Sequence, residues 1–369
     1  MPATKPKAER IAIVGGGING IMTAWALCDR GYQIDVYDRG DLMNETSAAS
    51  SRMLHGGLRY LAKLRFHMVR EALLERKWWR DQNTGMVREF LAHIPVRKGN
   101  LQELFIFGAG VMLYSILSLG SGFGHSRWVP LQTLRERFPE LDTSNLIGAW
   151  GYTDAIMDDR GLGIWAANQL QNRGVKFFTN TPVASMRSNG ITLQTGEERP
   201  YDVVVNAAGP WAADLISASN IKSKNNIGLM LVRGSHLIIK RDLKEAVVLP
   251  HIDGRILFLL PWAPGEAIFG TTEARQETPE SAEISAAERT ELIDAYNQWF
   301  VEKLGPDDIL SEYSGLRPIV KQDGGTSGAS REAVIGMSGG VVTIYGGKWT
   351  TSRQLGRKTA DAVEYLIKR

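Results

Sequence analysis

The sequence predicts an α/β protein: a Rossmann-like nucleotide-binding domain interrupted by an α+β domain with an antiparallel sheet. Three observations carry this. Residues 10–38 read strand, glycine-rich turn, helix, strand, acid. Residues 226–271 read as a succession of strands parted by Asp-Gly and Pro-Gly turns. The stretch IYGGKWTT, 344–351, ends a β-branched run on two glycines and leads into a helical pattern.

The first element is the apolar run Ile11 to Val14, a short buried strand. Gly15, Gly17 and Gly20 follow as G-x-G-x-x-G. Ile18 to Arg30 has helical apolar spacing, with Gly31 as its C-cap. Gln33 to Tyr37 alternates as a second strand and ends at Asp38. Each part has a physical task. Gly15 permits the tight turn, Gly17 lets a pyrophosphate approach the backbone, and Gly20 lets helix and strand pack closely. The helix N-terminus offers unpaired N–H groups and a positive dipole end to phosphate. Asp38 can accept both hydroxyls of an adenosine ribose, which argues against a 2′-phosphate and so against NADP. NAD and FAD remain.

The next stretch, NETSAASSRMLHGGLRYL at 44–61, is rich in small hydroxyl residues and glycine. Such residues let the backbone approach a large flat ring. Thr46, Ser47, Ser50 and Ser51 can donate to phosphate or ring oxygens. Standing alone, the stretch reads as a polar loop after the first unit. Further on, LFIFGAGVMLYSILSLG at 104–120 carries no charge. It falls just short of the ~18 to 20 residues that span a bilayer. A buried helix is the default reading; a membrane-dipping segment and a partner surface compete with it. Arg97, Lys98 and the basic stretch Lys63 to Arg80 would suit anionic lipid.

The helix DRGLGIWAANQLQNRG and the strand VKFF continue the nucleotide-binding sheet, and ASMRSNGITLQT is a hairpin on an Asn-Gly turn. Thr181 to Val183 should place backbone near adenine. VVVNAAGPWAADL, 203–215, is a buried strand followed by small residues and a helix start. Beyond residue 226 the strands are covered by an amphipathic helix at 285–305, before ILSEYSGLRPIV returns as a strand. The nucleotide-binding domain is expected at 8–85, 150–215 and 326–369, and the inserted domain at 86–149 and 216–325.

Composition excludes some classes. The 369 residues are 43% apolar and 22% charged, with 43 basic and 40 acidic side chains. A net charge of +3 is too small to argue for nucleic acid. The single cysteine, Cys28, excludes a disulfide framework and any cysteine metal site, and reads as a buried small hydrophobe. No histidine spacing suggests a metal. The polar, basic N-terminus has no apolar core, so no signal peptide is expected and the protein is placed in the cytoplasm.

NAAGPWA resembles the segment where flavoproteins of the two-dinucleotide-fold type return to their FAD-binding domain. The ordered set TSAASSRMLHGGLRYL, NAAGPWA, RGSHLII, SGLRPIV, SREAVIG and YGGKWTT is more specific. It resembles the FAD-dependent glycerol-3-phosphate dehydrogenases, within the wider D-amino-acid-oxidase-like group, from about residue 10 to the C-terminus. The resemblance implies FAD held without a covalent bond, by Gly15, Gly17, Asn19, Gly20, Asp38, Thr46, Ser47, Ser50, Ser51, His55, Gly56, Gly57, Val183, Ala208, Gly209, Trp211, Gly346, Gly347, Lys348, Trp349 and Thr350. It implies a helix from about Trp349 to Ile367 whose N-terminus faces the flavin's pyrimidine edge and stabilises its reduced form.

On the same grounds, sn-glycerol 3-phosphate is oxidised at C2 to dihydroxyacetone phosphate, with hydride passing to flavin N5. His236 is the expected base and Arg317 the group that polarises the developing carbonyl. Arg59 and Arg331 would hold the phosphate, because guanidinium forks bind such an anion in bidentate fashion. Tyr60, Lys348 and Thr350 complete the substrate set. The electron acceptor stays open among quinone, oxygen and a partner protein, with a peripheral membrane contact at the inner face. Larger family members carry a further helical domain after the last helix, which is expected to be absent here. Two rival readings stand: a flavin enzyme for another small anionic alcohol, an amine or an amino acid, and a non-catalytic flavin-binding subunit.

Overall fold

The computed structural model describes residues 9–82, 84–122, 126–222, 227–251, 253–280, 282–321 and 333–369, without the side chains of residues 59, 62 and 63. Its first sheet has six strands in the order Val334–Ser338, Val341–Tyr345, Val203–Asn206, Arg10–Val14, Gln33–Tyr37 and Lys176–Phe178. Neighbours are parallel except the first pair, which is antiparallel. The strands are short and apolar because both faces are covered. Ile11, Ile13, Val36, Val205 and Val342 meet the helices Ile18–Cys28, Asp159–Gln171 and Ser352–Ile367 in one core. Ala12, Val14 and Val204 face the other side, against Met186, Ile191 and Leu193 of a small three-stranded sheet. Cys28, read as buried, is half-buried.

The second sheet has ten strands. Leu229–Lys240 lies near one end, flanked by Glu266–Gly270 and Ile309–Val320. Ile256–Ala263, Ala246–Pro250, Val87–Arg97 and Leu146–Met157 continue it. Its pairs are antiparallel among the described residues, apart from Ala246–Pro250 beside Val87–Arg97. Side chains alternate across this sheet with period two. Leu237 and Ile239 pack with Leu292 and Tyr296 of the helix Ala286–Trp299, while Ile238 between them packs with Leu73, Val111 and Tyr114 on the opposite face.

Several expected boundaries move. The covering helix stops at Trp299, six residues short of the expected 305, and opens with a capping box between Ser285 and Glu288. The strand Leu146–Met157 runs across residue 150 and pairs along Val87–Arg97. The last helix begins at Ser352, three residues beyond the expected Trp349, because residues 346–351 form a turn against the first helix. The apolar segment forms the helix Leu101–Leu117, but it is not buried. Phe105, Ile106, Met112 and Ile116 are 68, 56, 60 and 61% exposed, and only Gly108, Val111 and Tyr114 are buried. Its apolar residues surround the helix, and one stripe alone meets the sheet. No described helix is long and apolar enough to cross a membrane.

Candidate active site

The two sheets enclose a cavity of about 1210 Å³, larger than the ~300 to 1,000 Å³ usual for a small-ligand pocket. One end is built by the first strand and helix. Gly15 has φ +113°, and a Cβ there would lie 2.4 Å from the Ala207 carbonyl oxygen. Only glycine fits this turn. Gly20 is not on the wall; a Cβ there would meet the Gly15 carbonyl oxygen at 1.9 Å. It is the packing glycine of the motif. Asp38 reaches the wall and accepts from Gly16 N at 2.6 Å and Gly40 N at 2.9 Å. Burial raises its pKa, and these two bonds pull it back.

The helix Ile18–Cys28 has no capping side chain of its own. Ser47 supplies one from the neighbouring loop, its Oγ accepting from Ile18 N at 3.0 Å. The other expected hydroxyls also have protein partners. Thr46 donates to the Leu316 carbonyl at 2.8 Å and Ser50 to Asp159 at 2.7 Å. All of them line the cavity, as do Ser51, His55, Gly57, Val183, Ala208, Gly209 and Trp211. Gly56 lies behind the wall, donating to Tyr114 Oη at 2.8 Å and Asp154 Oδ1 at 3.2 Å. That buried carboxylate also binds Arg76 and accepts from Tyr114 at 2.8 Å. No motif in the sequence announced this support.

Beside the first helix Gly346, Gly347, Lys348, Trp349 and Thr350 line the wall. Gly347 has φ +114°, and a Cβ there would lie 2.5 Å from Asn19 Nδ2. Asn19 donates to the Gly346 carbonyl at 3.2 Å, which ties the first helix to this turn. Its Oδ1 is buried with no hydrogen-bond partner. Lys348 Nζ sits 4.1 Å from the centre of the Tyr60 ring, which also lines the cavity.

Arg317 reaches the same cavity from inside the strand Ile309–Val320 and donates to Thr271 Oγ1 at 2.9 Å. His236 lies within the continuous strand Leu229–Lys240. It is 2% exposed and does not line the cavity. Its Nε2 lies 2.9 Å from Ser51 Oγ, which does. The ring stacks on Tyr313 at 4.8 Å. Burial drives its pKa well below the usual histidine range, and the charges of Arg317 and Arg52 push the same way. The histidine is neutral at neutral pH. Arg331 and the side chain of Arg59 lie outside the described residues.

The sequence matches the family described as FAD dependent oxidoreductase over residues 10–362. The chain belongs to this family. As an FAD-dependent oxidoreductase it has named relatives that are longer chains, of which it spans about two thirds to three quarters. It is 31% identical to a glycerol-3-phosphate dehydrogenase of Pseudomonas tolaasii, over 94% of this chain and 69% of that protein. It is 32% identical to a D-erythritol 1-phosphate dehydrogenase of Brucella abortus, over 98% of this chain and 75% of that protein. Its fold is that of the Bacillus halodurans glycerol-3-phosphate dehydrogenase solved with FAD, at TM-score 0.74 and 24% identity, covering 98% of this chain and 65% of that one.

The residues present fit this cofactor. The Gly15 turn has no room for a side chain, a helix N-terminus and Asp38 stand beside it, and the orphaned Asn19 oxygen lies beside the second glycine turn. An FAD-dependent oxidoreductase would hold the dinucleotide along Gly15, Gly17, Asp38 and Thr181–Val183, with the ring near Gly346–Trp349.

Proposed function

We propose that the protein oxidises the C2 hydroxyl of sn-glycerol 3-phosphate, giving dihydroxyacetone phosphate. The observation that carries this is the convergence of Arg317 and Lys348 on the wall of the cavity that also holds the two glycine turns. Two cations at a partly enclosed wall favour a phosphate monoester over a simple amine. The names of the relatives support the same class. Arg331 and Arg59 would add to the phosphate site.

Bound FAD supplies the two-electron acceptor. The chain's own residues handle charge and the proton. Arg317 faces the cavity and stabilises negative charge that develops on the reacting oxygen. The hydroxyl proton passes to Ser51 Oγ as the serine gives its own proton to His236 Nε2. This needs the tautomer with its proton on Nδ1, an assignment made from the role of Nε2. The four-carbon ester D-erythritol 1-phosphate is the second substrate to test, because a relative covering nearly the whole chain bears that name.

We read the electron acceptor as a lipid-soluble quinone. The helix Leu101–Leu117 supports this: Phe105, Met112 and Ile116 are exposed, while Phe107, Gly110 and Leu113 line the cavity. Exposed Leu64 and Phe66 stand at the same wall. An apolar acceptor can enter there from the inner face of a membrane. The experiment follows anaerobic turnover of each phosphorylated polyol with a short-chain quinone, with and without anionic vesicles. Turnover of neither ester would remove the substrate assignment, and oxygen reduced faster than quinone would remove the acceptor.

A further inference from the structure

Five tryptophans run from the cavity to the surface. Trp349 lines the cavity beside the double glycine. Its ring centre lies 4.8 Å from that of Trp79, which is fully buried. Trp79 lies 4.8 Å from Trp78, Trp78 lies 5.8 Å from Trp25, and Trp25 lies 6.1 Å from Trp165. The last three are half-buried, so the row ends at solvent. They come from three helices and the turn before a fourth: Phe66–Asp81, Ile18–Cys28, Asp159–Gln171 and residues 346–351. Their proximity is a tertiary fact with no period in the sequence.

Packing explains part of this, since an aromatic pair is stabilising beyond its burial. Packing does not explain the Trp79 indole N–H, which is buried with no hydrogen-bond partner. Such an orphan is costly, and phenylalanine there would avoid it. A buried polar group left unsatisfied calls for a reason. Indole is among the most readily oxidised side chains, and electron tunnelling falls steeply with edge separation. Rings this close have edges near van der Waals contact. Two cations oppose a positive charge on the row: Arg353 is 4.6 Å from the Trp78 ring and Arg173 is 5.4 Å from the Trp25 ring. Each is offset by a carboxylate, Glu75 at 2.8 Å from Arg353 and Asp29 at 2.6 Å from Arg173.

We propose that this row is a one-electron conduit between the flavin cavity and the protein surface, opened by light. The Trp349 indole gives one electron to photoexcited oxidised flavin, which is reduced by that electron. The vacancy left on Trp349 is filled from Trp79, that on Trp79 from Trp78, and onward through Trp25 to Trp165. At the surface a soluble thiolate refills the last indole and is itself oxidised by one electron. The net transfer is one electron from thiolate to flavin. The conduit rests on flavin binding alone and is indifferent to which substrate the enzyme takes.

The test uses the flavin-loaded enzyme without substrate or oxygen, under blue light with excess thiol. Flavin absorbance should bleach, and flash photolysis should show the transient band of an indole radical. Trp79→Phe keeps an aromatic ring in the gap and lies off the cavity wall. Its bleaching should slow by an order of magnitude or more, with dark turnover unchanged. Trp25→Phe should keep the early indole radical but lower the yield of bleached flavin. Bleaching of Trp79→Phe at the wild-type rate would overturn the proposal. So would the absence of any indole radical in the wild-type protein, a result that needs no variant to fold.

Discussion

His236 shows what burial does to a single side chain. Enclosed by the sheet and facing two guanidinium groups, it resists protonation. Its folded-state pKa lies below its unfolded value, so its contribution to stability is present above the unfolded pKa. That contribution is lost as pH falls through about 6.5, the ordinary value, toward the lower folded one. Activity follows the folded value. The acid limb of the kcat/KM profile is expected well below pH ~6.5, and a limb at or above that pH would exclude His236 as the titrating group. Ser51 is the hydroxyl between this ring and the cavity. Ser51→Ala and His236→Ala are each expected to retain flavin and to lose ~100- to 10,000-fold in turnover, the range for general acid–base groups. A mild Ser51→Ala beside a severe His236→Ala would mean that the histidine reaches substrate without the serine.

At the scale of elements, the glycine turn at 346–347 and the helix Ala286–Trp299 each carry a test. The Gly347 backbone takes a φ that side chains avoid, and its missing Cβ leaves the space that Asn19 fills. Gly347→Val is expected to fold but to purify with little flavin; full flavin occupancy would show that the turn does not shape the cofactor site. Glu288 opens the covering helix and accepts from Arg233, Ser235, Thr272 and Ser285. Ser235 and Thr272 neighbour His236 and Thr271, so this carboxylate braces the strands behind the site. Despite its burial, these bonds lower its pKa to about 2. The stability it adds is present above ~4.3, the ordinary glutamate value, and is lost as pH falls toward its folded value. Unfolding by urea should show a stability loss on the order of 3 kcal/mol across that window. Glu288→Gln should be less stable near neutrality and flatter over the same range. An unchanged acid profile in that variant would assign the loss to other groups.

Elements with a strong local period were legible in the sequence. The opening unit of residues 10–38 and the strands after residue 226 form where the pattern put them, because glycine turns and alternating apolar runs act locally. Helix starts were less legible. Residues 349–351 have a helical pattern, yet the turn against Asn19 holds them out of the helix. The apolar segment 104–120 is helical as far as Leu117, as its pattern suggests, yet it is largely exposed, since burial depends on which neighbours arrive and not on composition. In the site, the glycine motifs were visible as spacing. The serine that stands before His236, the Asp154–Arg76 support and the tryptophan row join distant residues, and nothing local marks them.

For the whole molecule, two sheets and their intervening helices make one cavity whose wall carries both glycine turns together with Arg317 and Lys348. Neither sheet builds it alone: the glycine turns belong to the six-stranded sheet, and Arg317 to the ten-stranded one. The claim that unites these features is that a small phosphorylated polyol gives up its electrons there. The direct measurement is the visible spectrum of the purified protein during anaerobic addition of sn-glycerol 3-phosphate. The account predicts an oxidised flavin spectrum that bleaches rapidly, with dihydroxyacetone phosphate formed in equal amount. A flavin that stays yellow with the ester, or that bleaches only with amines or amino acids, would contradict it.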